Sequence, residues 1–126
     1  MSQDQPAARA SVYSQQCPSR ELLVRVADKW ALIITVALAE RPYRFGELRR
    51  RVEGISQKML AQTLRNLERD GLVNRKVCAT SPVQVEYSLT PLGRELTAVL
   101  RPLLAWAEAH VPDILAHRDR HDRAAG

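Results

Sequence analysis

The stretch Ser56-Gln-Lys-Met-Leu-Ala-Gln-Thr-Leu-Arg-Asn-Leu-Glu-Arg-Asp-Gly-Leu72 decides the fold, because it sorts its residues onto two faces at helical spacing. Leu60, Leu64 and Leu67 fall at i, i+4 and i+7, whereas Lys58, Gln62, Arg65 and Arg69 recur at intervals of four, three and four on the opposite side. One face packs and the other carries cations and amides outward. Residues 41 to 76 hold ten Lys and Arg (Arg41, Arg44, Arg49, Arg50, Arg51, Lys58, Arg65, Arg69, Arg75, Lys76) against four acids (Glu47, Glu53, Glu68, Asp70), a local balance of +6, while the other ninety residues sum to −1. An ordinary solvated surface helix accounts for the two faces but not for this local concentration of charge. A phosphate backbone requires such clustering, since affinity there comes from neutralised phosphates and released counterions. The segment reads as a recognition helix.

Upstream, Gly54 supplies the permissive backbone of a tight turn, and Ser56 is placed to cap the helix that follows. A short helix over about 45–52 precedes the turn, with Leu48 and Val52 inward and Arg49, Arg50 and Arg51 spread over its exposed side. Helix, turn and helix therefore occupy 45–70. Farther back, Asp28 caps a helix to about Glu40, ended by Pro42, whose apolar face is Trp30, Ile33, Ile34, Ala37 and Leu38. Before it, Pro18 and Ser19 open a helix to about Ala27, with Ser19 as its cap and Leu22, Leu23 and Val26 as its stripe. Residues 1–15 are polar and read as a flexible arm.

Downstream, Gly71 ends the recognition helix as a left-handed cap. Residues 72–78 and 83–89 are strands of a hairpin around Ala79-Thr-Ser-Pro82, the second alternating Val83, Val85, Tyr87, Leu89 against Gln84, Glu86, Ser88. Two strands alone are marginal, so the hairpin must lean on the helices. Thr90-Pro91 starts a long last helix whose Leu92, Leu96, Val99, Leu100, Leu103 and Trp106 exceed what one side of a small domain needs, which suggests a dimer. Pro102 is expected to bend this helix, and beyond Pro112 the charged chain is expected to fray.

A chain of 126 residues fits one domain. With 45% hydrophobic and 26% charged residues it is too apolar for global disorder. The longest apolar run, Trp30 to Ala39, is interrupted by Thr35 and too short to span a bilayer, and no signal-peptide core precedes it, so the expected location is cytoplasmic. Two cysteines, Cys17 and Cys78, cannot build a disulfide framework. No Ser/His/Asp order, phosphate-cradling Gly loop or HExxH motif is present, so the chain is not read as an enzyme and no cofactor is expected. His110, His117 and His121 with Asp113 fall loosely on one helical side, but Pro112 interrupts them, and a solvated tail is the better reading than a metal site.

The order of elements is that of a mainly α (α+β) winged helix-turn-helix with an extra N-terminal helix and a long C-terminal dimerisation helix. Its motifs name a family. Cys17-Pro18, Lys29-Trp30, RFGEL at 44–48, GIS-x-K-x-L at 54–60, LRNLERDGLVNRK at 64–76 and VEYSLTPLGREL at 85–96 resemble the HxlR-type bacterial transcription regulators over about residues 17–110. The chain departs from that pattern near the wing tip, where Cys78, Pro82-Val83 and Gln84 stand in place of an aromatic, a Pro-Pro pair and a basic residue. The resemblance implies a homodimeric, sequence-specific regulator of double-stranded DNA. Its terminal helices would form the dimer interface and one recognition helix per subunit would enter a major groove.

On this reading Gln57, Lys58, Gln62 and Arg65 read bases, where Arg suits guanine and Gln suits adenine edges. Arg44, Arg49, Arg50, Ser56, Arg69, Arg75 and Lys76 are assigned to phosphates. Leu22, Leu96, Val99, Leu100, Leu103 and Trp106 are assigned to the dimer interface. The domain spans 16–111, between the arm and a charged tail over 112–126. A repressor acting on a pseudo-palindromic operator is expected. Cys17 is a candidate redox sensor, because members of the resembled family carry a thiol there, and because a helix start with Arg20 one turn away favours a thiolate. It also fits as a small packed residue. A small-molecule or oxidant effector stays open, as does a winged helix that serves protein interaction and never reads DNA.

Overall fold

The computed structural model describes residues 13–126, so most of the expected N-terminal arm lies outside the described residues. In chain order the elements are α1 Pro18–Val26, α2 Lys29–Glu40, β1 Tyr43–Arg44, α3 Phe45–Arg51, α4 Gln57–Arg69, β2 Val73–Cys78, β3 Gln84–Leu89 and α5 Pro91–Ala125. This is a winged helix-turn-helix carried between two flanking helices. Helix α2 is central. Asp28 caps it, with Oδ2 accepting from the amides of Trp30 and Ala31 at 3.1 and 3.3 Å. Its buried side is Ala31, Ile34, Thr35, Ala37 and Leu38. Ile33, expected on that face, instead lies exposed, because the buried arc centres on Ile34 and Leu38. Thr35 is buried without cost because its Oγ1 donates to the Ala31 carbonyl at 2.7 Å.

Beneath α2 lie Leu48 of α3 and Leu60, Leu64 and Leu67 of α4, all almost fully enclosed, so the expected stripe of the recognition helix is the floor of the core. Ser56 Oγ accepts from Met59 N at 3.0 Å to start α4, and Gly54 at φ +88° makes the turn before it. At the other end, Leu72 N donates to Leu67 O and Gly71 N to Glu68 O, a Schellman closure around Gly71 at φ +77°.

The sheet has three strands, not the two expected, in antiparallel order β1-β3-β2. Strand β1 escaped notice because it is two residues long. Arg41, restricted by the following Pro42, is extended and delivers the chain into it. Leu72 and Val83, expected as strand residues, fall just outside β2 and β3, and of the β3 apolar set only Leu89 is fully buried.

Helix α5 is tied to the end of α4 by Thr90, whose Oγ1 accepts from Gly93 N and donates to Gly71 O, while its amide donates to Leu72 O. It then runs through Pro102 and Pro112 to Ala125 and does not fray at Pro112. Each proline removes one amide donor, and two i, i+4 side-chain pairs add local support: Trp106 stacks on His110 at 4.6 Å and Asp119 pairs with Arg123 at 2.8 Å. Helix α1 corrects two expectations. Cys17, not Ser19, is its N-cap with Pro18 at the first helical position, and none of its residues is buried.

Candidate nucleic-acid interface

The geometry of the exposed face of α4 follows from its buried one. With Leu60, Leu64 and Leu67 facing the core, Gln57, Lys58, Gln62, Arg65 and Arg69 are all exposed, over roughly 18 Å of helix. Arg65 Nη2 donates to Gln62 Oε1 at 3.1 Å, and Gln62 Nε2 donates to Asn66 Oδ1 at 3.3 Å. This relay presets the amide of Gln62 and adds Asn66, which the spacing argument overlooked because it lies at the edge of the polar stripe. Arg69 occupies the last turn, where a cation also complements the helix dipole.

Two of the ten cations of residues 41–76 have structural work. Arg51 binds Glu40 through Nη2–Oε2 at 2.8 Å, and Arg41 lies over the Tyr43 ring at 3.9 Å and pairs with Glu47 at 3.6 Å. The Arg51 guanidinium, helped by the Tyr43 hydroxyl that also donates to Glu40, holds the Glu40 carboxyl below its ordinary value. The Arg44 amide, donating to Glu47 Oε1 at 2.8 Å, does the same for Glu47 and closes the first turn of α3. The other eight, Arg44, Arg49, Arg50, Lys58, Arg65, Arg69, Arg75 and Lys76, form no ion pair among the described residues, and all are exposed. Their charge is therefore available to an anion in solvent.

The sheet distributes the remaining candidates over two faces. Tyr43, Tyr87 and Arg75 share one face at register positions, and Arg44, Glu86 and Lys76 share the other. Arg75 consequently turns toward α4, where it lines a cleft with Ala61, Arg65, Glu68 and Tyr87. Arg65 and Arg75 are thus brought together, whereas Arg44 and Lys76 flank Glu86 on the far side. Tyr87 at this cleft was missed because its place in an alternating strand reads as core.

Among the dimer candidates, Leu22, Val99, Leu103 and Trp106 are exposed in the isolated chain, with Val99 at 69%. Leu96 packs against the core and Leu100 is buried within its own protomer. Cys17 is buried at 3% exposure and Cys78 is half-buried on the wing. Among the described residues no three His, Cys, Asp or Glu side chains converge on a metal position; His110 Nδ1 contacts the Trp106 carbonyl instead. Among the same residues no helix is long and apolar enough to cross a membrane.

Comparison with known proteins agrees with this geometry. The HxlR-like helix-turn-helix profile matches residues 25–114. The HTH-type transcriptional regulator YtfH of Escherichia coli is 45% identical over 125 residues, covering 99% of this chain and 98% of that protein. The structure of the transcriptional regulator YtfH from Salmonella typhimurium superimposes with a TM-score of 0.82 at 45% identity, over 86% of this chain and 97% of the other. The redox regulator HypR in its oxidized form superimposes with a TM-score of 0.69 at 39% identity, over 74% and 96%. With a recognition helix set over a buried leucine floor, a three-stranded wing and relatives of this kind, the chain belongs to the HxlR-like helix-turn-helix family of DNA-binding transcriptional regulators.

Proposed function

We propose that the protein is a repressor that binds a pseudo-palindromic operator as a homodimer, each protomer inserting α4 into a major groove. The observation that carries this reading is the row of unpaired cations and preset amides along α4, backed by Leu60, Leu64 and Leu67. Gln57, Lys58, Gln62 and Arg65 contact base edges, while Arg44, Arg49, Arg50, Ser56, Arg69, Arg75 and Lys76 hold phosphates. Exposed Leu22, Val99, Leu103 and Trp106 support a dimer formed by α1 and α5, since a lone soluble chain seldom leaves so many large apolar groups on adjoining helices. Residues 16–111 make up the DNA-binding and dimerisation domain, followed by the charged segment 112–126, and the protein acts in the cytoplasm. Selection of duplexes from a random pool by the full chain, followed by anisotropy titration across salt, tests this. An enriched two-fold sequence is expected, with log K falling by about 0.9 per phosphate neutralised for each unit of log salt. No enriched duplex, or binding indifferent to salt, refutes the reading.

A second reading adds thiol sensing at Cys17. Its support is the likeness to the redox regulator HypR and the place of Cys17 at the N-cap of α1, beside the proposed dimer surface. Because the thiol is buried, sensing requires α1 to lift from the domain.

A further inference from the structure

Helix α1 is held to the recognition segment in an unusual way. It has no buried residue, and an open cleft of about 660 Å³, walled by Val24 and Arg25 on one side and Met59, Thr63 and Asn66 on the other, separates it from the body of α4. At the edge of this cleft Arg25, one of its lining residues, donates from Nη1 to Asp70 Oδ1 at 2.6 Å, the only side-chain hydrogen bond between residues 18–26 and 57–70 among the described residues. Asp70 is the C-cap of α4, where a negative charge opposes the helix dipole, and its Oδ2 is buried without a hydrogen-bond partner. On the other side, Arg25 Nη2 also holds Glu21 at 2.9 Å, one turn earlier on α1. A carboxylate so poorly placed for helix stability is explained by its hold on Arg25. The side chains are 29% and 14% exposed, so the pair is shielded enough to keep a fixed geometry.

We infer that Arg25 and Asp70 are positioning residues for operator recognition: their ion pair fixes the tilt of α4 relative to α1. The inference rests on the proposed dimer, in which α1 belongs to the interface. The angle between α1 and α4 then sets the distance between the two recognition helices and so the half-site spacing that the protein accepts. Neither residue touches DNA. Loss of the pair leaves each α4 able to enter a groove but no longer at one fixed separation from its twin.

The test uses the full-length protein and the variants Arg25→Met, Asp70→Asn and the double variant, with Arg25→Lys as a charge-retaining control. Amide residual dipolar couplings report the tilt of α4 against α1 without any DNA. They should shift in both single variants, with no further change in the double variant, and stay near the parent values in Arg25→Lys. On the selected duplex and on copies with half-sites moved one base pair closer or farther, the parent's preference for the native spacing should fall at least five-fold in the single variants. Affinity for a single half-site should be unchanged. Unaltered couplings, or a spacing preference equal to the parent's, overturns the inference. A parent that selects no duplex refutes the proposed function instead, and is recognised before any variant is made. If Asp70→Asn fails to fold, Arg25→Met, altered at a partly exposed position on α1, carries both measurements.

Discussion

Gly93 and Gly46 both lie in helices, yet the same substitution should act on them with opposite sign. At Gly93 in the first turn of α5, a Cβ would stand 2.2 Å from the Leu72 carbonyl oxygen and 3.1 Å from Leu89 Cδ2. An ordinary C···O contact is roughly 3.3 Å, so α5 must retreat by about 1 Å from the Gly71-Leu72 junction. That retreat stretches the bonds from Thr90 to Gly71 O and Leu72 O, at 2.6 and 3.1 Å, which join α5 to the end of the recognition helix. Overpacking of this kind costs about 1 to 3 kcal/mol, more than the 0.5 to 1 kcal/mol or so that alanine gains over glycine in a helix. At Gly46 in α3 the new methyl meets only Arg50 Nη1 at 3.5 Å, the end of a mobile side chain, so the propensity gain of up to about 1 kcal/mol survives. Urea unfolding at one fixed protein concentration should therefore place the Gly93→Ala midpoint below the parent and the Gly46→Ala midpoint above it, on the order of 1 M apart for a slope of roughly 1 to 3 kcal/mol per M. A Gly93→Ala protein as stable as the parent would show that α5 does not seat against Leu72 as described.

Arg65→Ala should lose about 1 to 3 kcal/mol on the operator and relax one base position, whereas Arg49→Ala should weaken operator and random DNA alike and flatten the salt slope; equal profiles in a sequence-by-salt titration refute this division of roles. Leu103→Asp, at a side chain 53% exposed in the isolated chain, should yield a folded monomer by light scattering with weak operator binding, while Leu100→Asp should also lower the melting temperature because Leu100 is buried within the protomer. The depressed Glu47 and Glu40 carboxyls give stability that is present above their ordinary value of 4.5 and lost as pH falls through their lower folded values. The stability gap between parent and Glu47→Gln should thus close below pH 4.5, and a gap independent of pH contradicts the Arg44 amide contact. If Cys17 senses oxidants, a mild oxidant should weaken operator binding in the parent but not in Cys17→Ser; unchanged parent affinity at full thiol consumption leaves Cys17 a packing residue.

The recognition helix was legible because local signals agreed: Ser56 capped it, Leu60, Leu64 and Leu67 marked one face, and Gly71 closed it. The same holds for Asp28 before α2 and Thr90-Pro91 before α5. What escaped depends on partners distant in sequence. The two residues of β1 form a strand only because Tyr43 and Arg44 find Tyr87 and Glu86 more than forty residues later. The charge count likewise treated all ten cations alike, yet Arg51 is committed to Glu40 and Arg41 to Tyr43, and only tertiary contact separates these from Arg49 and Arg50.

The length of α5 is the point at which sequence and single-chain structure both lead outside the protomer. Its last buried residue is Leu100 and the half-buried Leu104 still lines a cleft with Ile33, Ala37 and Val52, so most of residues 101–125, roughly 37 Å of helix, run past the packed domain. Leu103, Trp106, Val111 and Leu115 are exposed along that extension at intervals of three, five and four, and two prolines weaken it internally. Contacts at i, i+4 contribute a few tenths of a kcal/mol each, and helices in water draw most of their stability from an apolar face that is covered. Fraying past Pro112 follows from the sequence of one chain taken alone. Persistence to Ala125 makes physical sense when that face is covered, which is what a second copy in the proposed dimer supplies. Exposed Leu22 and Val99 line one groove with Leu96 and Asp70, so the surface that a partner would cover reaches back to the C-cap of the recognition helix. In the proposed dimer the subunit contact and the inferred Arg25–Asp70 tie would therefore act on the same end of α4, giving a change in how two copies pack a short mechanical route to the residues proposed to face the groove.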